Sequence, residues 1–178
     1  MAQLQTWEDR TFAPPPRFGP RPRTCRVLPH RQLEQWPPQE ILQELVDRCL
    51  RLPHVRRQQS RMASPLSLAL CLPDEFAAGP PVAFIDSHEF CHLHPPPEGS
   101  IHLTLPNWIR RSAIVMGWAE QHPAVRICAM PRALVMVYAP RNRDEVAIVM
   151  ELIWSSYEFA RYGADAPPRA IDAIMERA

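Results

Sequence analysis

The sequence predicts an α+β fold: a single domain whose antiparallel sheet of about four to five strands carries helices packed on one face, preceded by a Pro/Arg-rich arm. Three observations carry this expectation. Apolar residues recur at helical spacing in some segments and in short strand-like runs in others, in the order α, β, β, β, β, α, β, α, which suits helices segregated to one side of a sheet. Residues 88–105 alternate polar and apolar on both arms of a hairpin. Between Pro14 and Arg26 stand five prolines and four arginines around Phe18, a stretch that builds neither a helix nor a central strand of its own. The division expected is therefore an arm over 1–38 and a domain over 39–178. The arm reads as a flexible or surface-wrapping segment, with Trp7, Phe12 and Phe18 as its pins.

The elements follow in order. Pro37 and Pro38 open a helix of about four turns, with Ile41, Leu42, Leu45, Val46 and Cys49 on one face; Pro53 ends it. Leu66–Leu72 reads as a strand between prolines. Val82–Ile85 reads as another, after the turn Gly79-Pro80-Pro81. Phe90–His94 and Ser100–Leu105 are two strands joined by Pro95-Pro96-Pro97-Glu98-Gly99. Pro106 and Asn107 start a helix through Met116, and Gly117 stops it. Ala133–Tyr138 is a strand that turns at Pro140-Arg141. Asn142, with Glu145 three residues on, makes a capping-box-like start to a helix whose apolar face is Val146, Val149, Met150, Ile153, Trp154 and Tyr157. A last short helix fits Pro168–Arg177.

Composition removes several functions. All 20 basic residues are arginine, so there is no lysine for a Schiff base, a pyridoxal-phosphate anchor or a P-loop. Five glycines stand too far apart for a dinucleotide-binding loop. A net charge of +1 makes no case for nucleic acid. No apolar run approaches the roughly 18 residues of a membrane span, and the N-terminus lacks the basic and apolar regions of a signal peptide. The five cysteines are odd in number and form no C-x-x-C pair, which points to reduced thiols and a cytoplasmic setting. Cys49, Cys71 and Cys91 read as small core hydrophobes.

Four of the seven histidines fall within residues 88–102. Pairing the hairpin about Pro97 sets His92 opposite His102 and His94 opposite Ser100. His92, His94 and His102 then share one face, while Cys91, Leu93, Ile101, Leu103 and Leu105 share the other and suit the core. Three imidazoles on one face can bind zinc, iron or copper. They can equally form a metal-free acid/base cluster, or be hydrogen-bonded structural residues on a wet sheet face. His92, His94 and Glu98 also match the ligand spacing of a cupin. Glu98 lies in a proline-rich turn, however, and the second cupin motif is missing. Two further clusters stand out. Gly117-Trp118-Ala119-Glu120-Gln121-His122-Pro123 could cap a pocket or merely anchor a loop. Tyr138-Ala139-Pro140-Arg141 ends a strand, and its Arg141 either holds an anionic oxygen or pairs with Asp144 or Glu145.

On these residues the chain resembles the luciferase-domain family, which has fungal and small bacterial members. The shared features are Glu89 ahead of His92-x-His94, His102-Leu103, Gly117-Trp118, His122-Pro123, Tyr138-Ala139-Pro140-Arg141, Glu145, and an apolar helix ending near Phe159. The match spans about 84–160. Fungal members add dioxygen to a hydroxylated styrylpyrone without flavin or nicotinamide. The resemblance therefore implies an oxygenase acting on an enolisable, electron-rich aromatic or pyrone-type molecule, in a bacterial, secondary-metabolic setting. It implies His92 or His94 as base, His102 as its partner, and Arg141 and Tyr138 on the enolate or peroxide oxygen. Trp118 and His122 would line the pocket, and Glu89 would set a histidine tautomer. No cofactor is expected, with a metal ion on His92, His94 and His102 left open. The partners expected are the small molecule and dioxygen, with neither nucleic acid nor membrane, and a homodimer left open. A metal-dependent enzyme on the same hairpin and a non-catalytic small-molecule binding protein remain alternatives.

Overall fold

A computed structural model describes residues 14–64 and 66–163. Its elements are α1 (Gln39–Cys49), β1 (Arg56–Gln59), β2 (Leu68–Cys71), β3 (Glu89–Leu93), β4 (Ile101–Thr104), α2 (Asn107–Val115), β5 (Ala119–Gln121), α3 (Pro123–Arg126), β6 (Leu134–Val137) and α4 (Arg143–Tyr162). The strands form one antiparallel sheet in the order β1-β2-β3-β4-β6-β5. The α+β architecture read from the sequence holds, with six strands rather than four to five.

The hairpin register is the one the alternation demands: His92 faces His102, Cys91 faces Leu103, and the His94 N–H donates to the Ser100 carbonyl at 2.9 Å. Leu93, Ile101, Leu103 and Leu105 point into the core, where α4 crosses β3 and β4 and α1 packs on α4. All four are at most 2 % exposed. Cutting one of them back to alanine costs about 2–5 kcal/mol. From α4, Val146, Val149, Leu152, Ile153 and Tyr157 complete this layer, and from α1 Ile41, Leu42, Leu45 and Cys49. The buried Cys49 thiol is pushed up to about 12 by its surroundings, in keeping with a packing role.

Three element expectations need correction. Val82–Ile85 is not a strand; Pro81–Ala83 forms a single 3₁₀ turn, because the prolines at 80 and 81 have no N–H for a ladder. Arg56–Gln59 is a strand that periodicity could not show, since all four residues are exposed and only pairing with β2 makes them extended. Ala119–Gln121 is likewise a strand by pairing with β6, within what read as a loop. The first helix is also shorter than expected, 11 residues ending before Pro53.

A β-bulge has consequences for the site. Leu70 pairs with Cys91 but Cys71 pairs with Glu89, so β3 holds an extra residue there. Phe90 and Cys91 thus both enter the core, and the strand alternation is reset so that Glu89 returns to the face of His92.

Residues 14–38 lie along the sheet and are tied to it. The Trp118 indole N–H donates to the Pro15 carbonyl at 2.6 Å, Arg17 N–H to the Met116 carbonyl at 2.8 Å, and Ala139 N–H to the Gln32 side-chain oxygen at 2.9 Å. Phe18 is not a pin, being 88 % exposed; polar contacts and the buried Arg17 hold the segment instead. Trp7, Phe12 and the helix expected over Pro168–Arg177 lie outside the described residues. Among the described residues no helix is long and apolar enough to cross a membrane.

Candidate active site

The sheet face opposite the helices carries the histidines, and it is dry rather than wet: His92, His94 and His102 are 1 %, 7 % and 4 % exposed. Two more join them, His122 at the start of α3 and His30 from the N-terminal segment, at 5 % and 3 %. The His102 ring centre lies 4.9 Å from that of His92, 4.7 Å from His94, 4.7 Å from His122 and 5.4 Å from His30.

Hydrogen bonds set the tautomers. Glu89 lies 2.5 Å from His92 Nδ1 and also accepts from the Ser60 hydroxyl at 2.9 Å. A carboxylate accepts, so the proton sits on Nδ1 and His92 Nε2 carries a lone pair. That Nε2 is 3.0 Å from His102 Nδ1. His94 Nδ1 is bonded in the same way to Glu98, which also takes the Ser100 hydroxyl and, at 2.9 Å, the Gln32 N–H. His94 Nε2 is thereby left as an acceptor. His30 Nε2 donates to Glu120 at 2.7 Å, and the other oxygen of Glu120 accepts from the Tyr138 hydroxyl at 3.0 Å. His122 Nδ1 accepts from the Ala124 N–H at 3.2 Å, capping α3. Within this histidine cluster two buried nitrogens have no partner among the described residues, His30 Nδ1 and His102 Nε2.

Burial, reinforced by the neighbouring imidazoles, holds His102 well below its usual pKa and lowers His122 to about 4. Burial also lowers His92, against the pull of Glu89. Burial would raise Glu98 and Glu120, but the bonds from His94 and Ser100, and from His30, Thr24 and Tyr138, outweigh it and both end below the ordinary carboxylate value. Tyr138, buried and facing Glu120, is raised and remains a donor. At neutral pH His92, His102 and His122 are therefore neutral rings, and Glu98 and Glu120 are carboxylates.

These rings floor a cavity of about 550 Å³ whose walls include Leu28, Met62, Met130 and Leu134. Its size and mainly apolar walls suit an aromatic small molecule. Arg31 stands on its lining and is exposed.

Of the residues expected at a site, His92, His94, His102 and His122 line this cavity. Glu89 backs His92, and Tyr138 connects through Glu120 to His30. Trp118 and Arg141 do not reach it. Trp118 is a core residue beneath Arg17. Arg141 bonds Glu145 through its N–H and guanidinium, and donates to the Phe18 carbonyl at 2.7 Å. Sequence reasoning missed His30, Ser60 and Arg31, whose chain positions carry no motif; Glu120 stands within the cluster over 117–123, but sequence reasoning assigned no role to it. Glu98 stands in the H-x-H-x-x-x-E spacing, in a proline-rich turn that speaks against a ligand. Its use is to hold His94.

The comparisons with known proteins fit this geometry. Residues 87–156 match the family profile described as the luciferase domain, bearing out the resemblance read from the sequence. A curated luciferase of Armillaria gallica is 31 % identical over 172 residues, covering 84 % of this chain and 62 % of the relative. Luciferases of Armillaria ostoyae and Armillaria mellea are each 29 % identical over 170 residues, with the same coverage. The chain thus spans less than two thirds of the length of these relatives. They are fungal, and nothing supports the bacterial, secondary-metabolic setting expected above. No solved structure matches the chain.

Proposed function

We propose that this chain, which carries a luciferase domain, is a luciferase-like oxygenase acting on an enolisable, electron-rich aromatic or pyrone-type small molecule in the histidine cavity. The observation that supports it most is the set of carboxylate-backed imidazoles, Glu89–His92–His102 and Glu98–His94, at the floor of a mainly apolar cavity. The substrate's acidic hydroxyl is held at this floor and gives up its proton there. The resulting enolate is itself the reductant. It passes electrons to dioxygen, and the new C–O bond yields a peroxide, so neither flavin nor nicotinamide enters the scheme. Arg31, which stands on the cavity lining, is the cation that holds the anionic oxygen in this reading.

An oxygen electrode tests this with a panel of 4-hydroxy-2-pyrones and related enols. The expected result is oxygen uptake matching substrate loss, reduced about 100-fold or more in His94→Ala and His102→Ala. Product formed at an undiminished rate without oxygen would replace the reading with a decarboxylase or cyclase. A pyrone that binds unchanged would favour a binding protein.

A further inference from the structure

We infer that His92, His94 and His102 bind a first-row divalent metal ion, with a coordination position open to the cavity. The inference deepens the reading above, and rests on it only for the ligand at that position, an enolate oxygen. The ion site itself stands on the geometry.

Each of the three rings offers a nitrogen, and these lie within 4.8 Å of one another. His92 Nε2 and His102 Nδ1 are already 3.0 Å apart, close to the ~3.3 Å separating neighbouring ligands on a tetrahedral ion with bonds of about 2.0–2.1 Å. The far nitrogens of His92 and His94 are held by Glu89 and Glu98. Carboxylates in this position orient metal-bound imidazoles and raise their basicity. Glu89, Glu98 and Glu120 all lie against histidines, and among the described residues none of the three forms an ion pair with arginine. A divalent ion supplies the positive charge that this group of carboxylates lacks.

The ion also bears on the unpartnered nitrogen of His102. Without it, the Nδ1 proton of His102 goes to His92 Nε2, and the buried His102 Nε2 and His30 Nδ1 are both lone pairs on neighbouring rings. With His102 Nδ1 on the metal, the His102 proton moves to Nε2.

The same nitrogen chemistry selects between two clusters. His30, His102 and His122 also lie close enough to share an ion. His122 Nδ1, however, accepts the Ala124 N–H, which keeps the neutral ring's proton on Nε2 and leaves no free lone pair. Three imidazoles suit iron, copper, zinc or cobalt rather than magnesium or calcium.

The test is metal analysis of the purified chain, followed by titration of the chelator-treated protein with Co²⁺ and no substrate. The expected result is near-stoichiometric binding with ligand-field absorption, lost in His94→Gln and His102→Gln and kept in His122→Gln. Glu98→Gln should weaken binding about 10–100-fold, with circular dichroism showing each variant folded. No metal on the purified protein and no Co²⁺ absorption overturns the site. Loss in His122→Gln with retention in His94→Gln overturns the choice of ligands. Metal bound without oxygen uptake on any enol counts against the oxygenase reading and leaves the site standing.

Discussion

Arg141 gives its guanidinium to Glu145, and Glu145 in turn faces the buried Arg17 at 3.5 Å. This node fastens the N-terminal segment to the start of α4. Burial pushes the Glu145 carboxyl up, but the bonds from Arg141 and the charge of Arg17 outweigh it and hold it below its ordinary value of 4.5. A carboxylate depressed in the folded state stabilises above its unfolded pKa, and that stabilisation is lost as pH falls through the lower folded value. Glu145→Gln should therefore be less stable than the parent at pH 7, by about 3 kcal/mol or more for a broken buried pair. The gap should narrow toward pH 3. Thermal unfolding from pH 7 to pH 3 measures it, and parallel curves for the two proteins would remove the node from the account. The arginine favoured by sequence reasoning is thus engaged in this node, because a guanidinium beside a carboxylate one helical turn away pairs locally first.

At the scale of elements, the histidine hairpin and α4 were legible because one face of each is apolar, which fixes register and phase. The alternation of Cys91, Leu93, Ile101 and Leu103 left one register that keeps imidazoles out of the core. What alternation could not show is the bulge that puts Phe90 and Cys91 on the same face and swings Glu89 to His92. The cap of α4 also departs from its motif. Asn142 accepts the Glu145 N–H at 2.9 Å, but Glu145 turns back to the N–H of Arg141 rather than to that of Asn142. Strands β1 and β5 escaped notice because they are short and mostly polar and partners elsewhere in the chain make them extended. Where the chain enters the turn before Pro81, Gly79 donates to the Ala160 carbonyl at 2.9 Å, and a Cβ there would meet the Phe159 oxygen at 2.3 Å. Gly79→Ala should destabilise by about 1–3 kcal/mol through overpacking against α4. Urea unfolding reads this directly; an unchanged midpoint would mean that the close approach relaxes without cost.

Across the whole molecule, the N-terminal segment closes the site. His30 enters the cavity, the Gln32 side chain caps the Ala139 N–H, and the Gln32 N–H holds Glu98 on His94. Gln32→Ala removes the acceptor of the buried Ala139 N–H and should cost about 1–3 kcal/mol. It should also lower the protection of that amide in hydrogen exchange. Protection equal to the parent's would mean that the segment is seated by other contacts. By itself, the sequence determined the α+β class, the face on which His92, His94 and His102 gather, and the family resemblance. Those follow from local periodicity and from motifs contiguous in the chain. Only the tertiary structure decided that His30, Glu98 and Glu120 complete the cluster and that Arg141 and Trp118 do not. The side chains of that cluster come from the N-terminal segment, β3 and its turn, β4, β5 and the start of α3. No local pattern encodes their meeting, which arises when the core closes on one face of the sheet and the proline-rich segment is laid across the other.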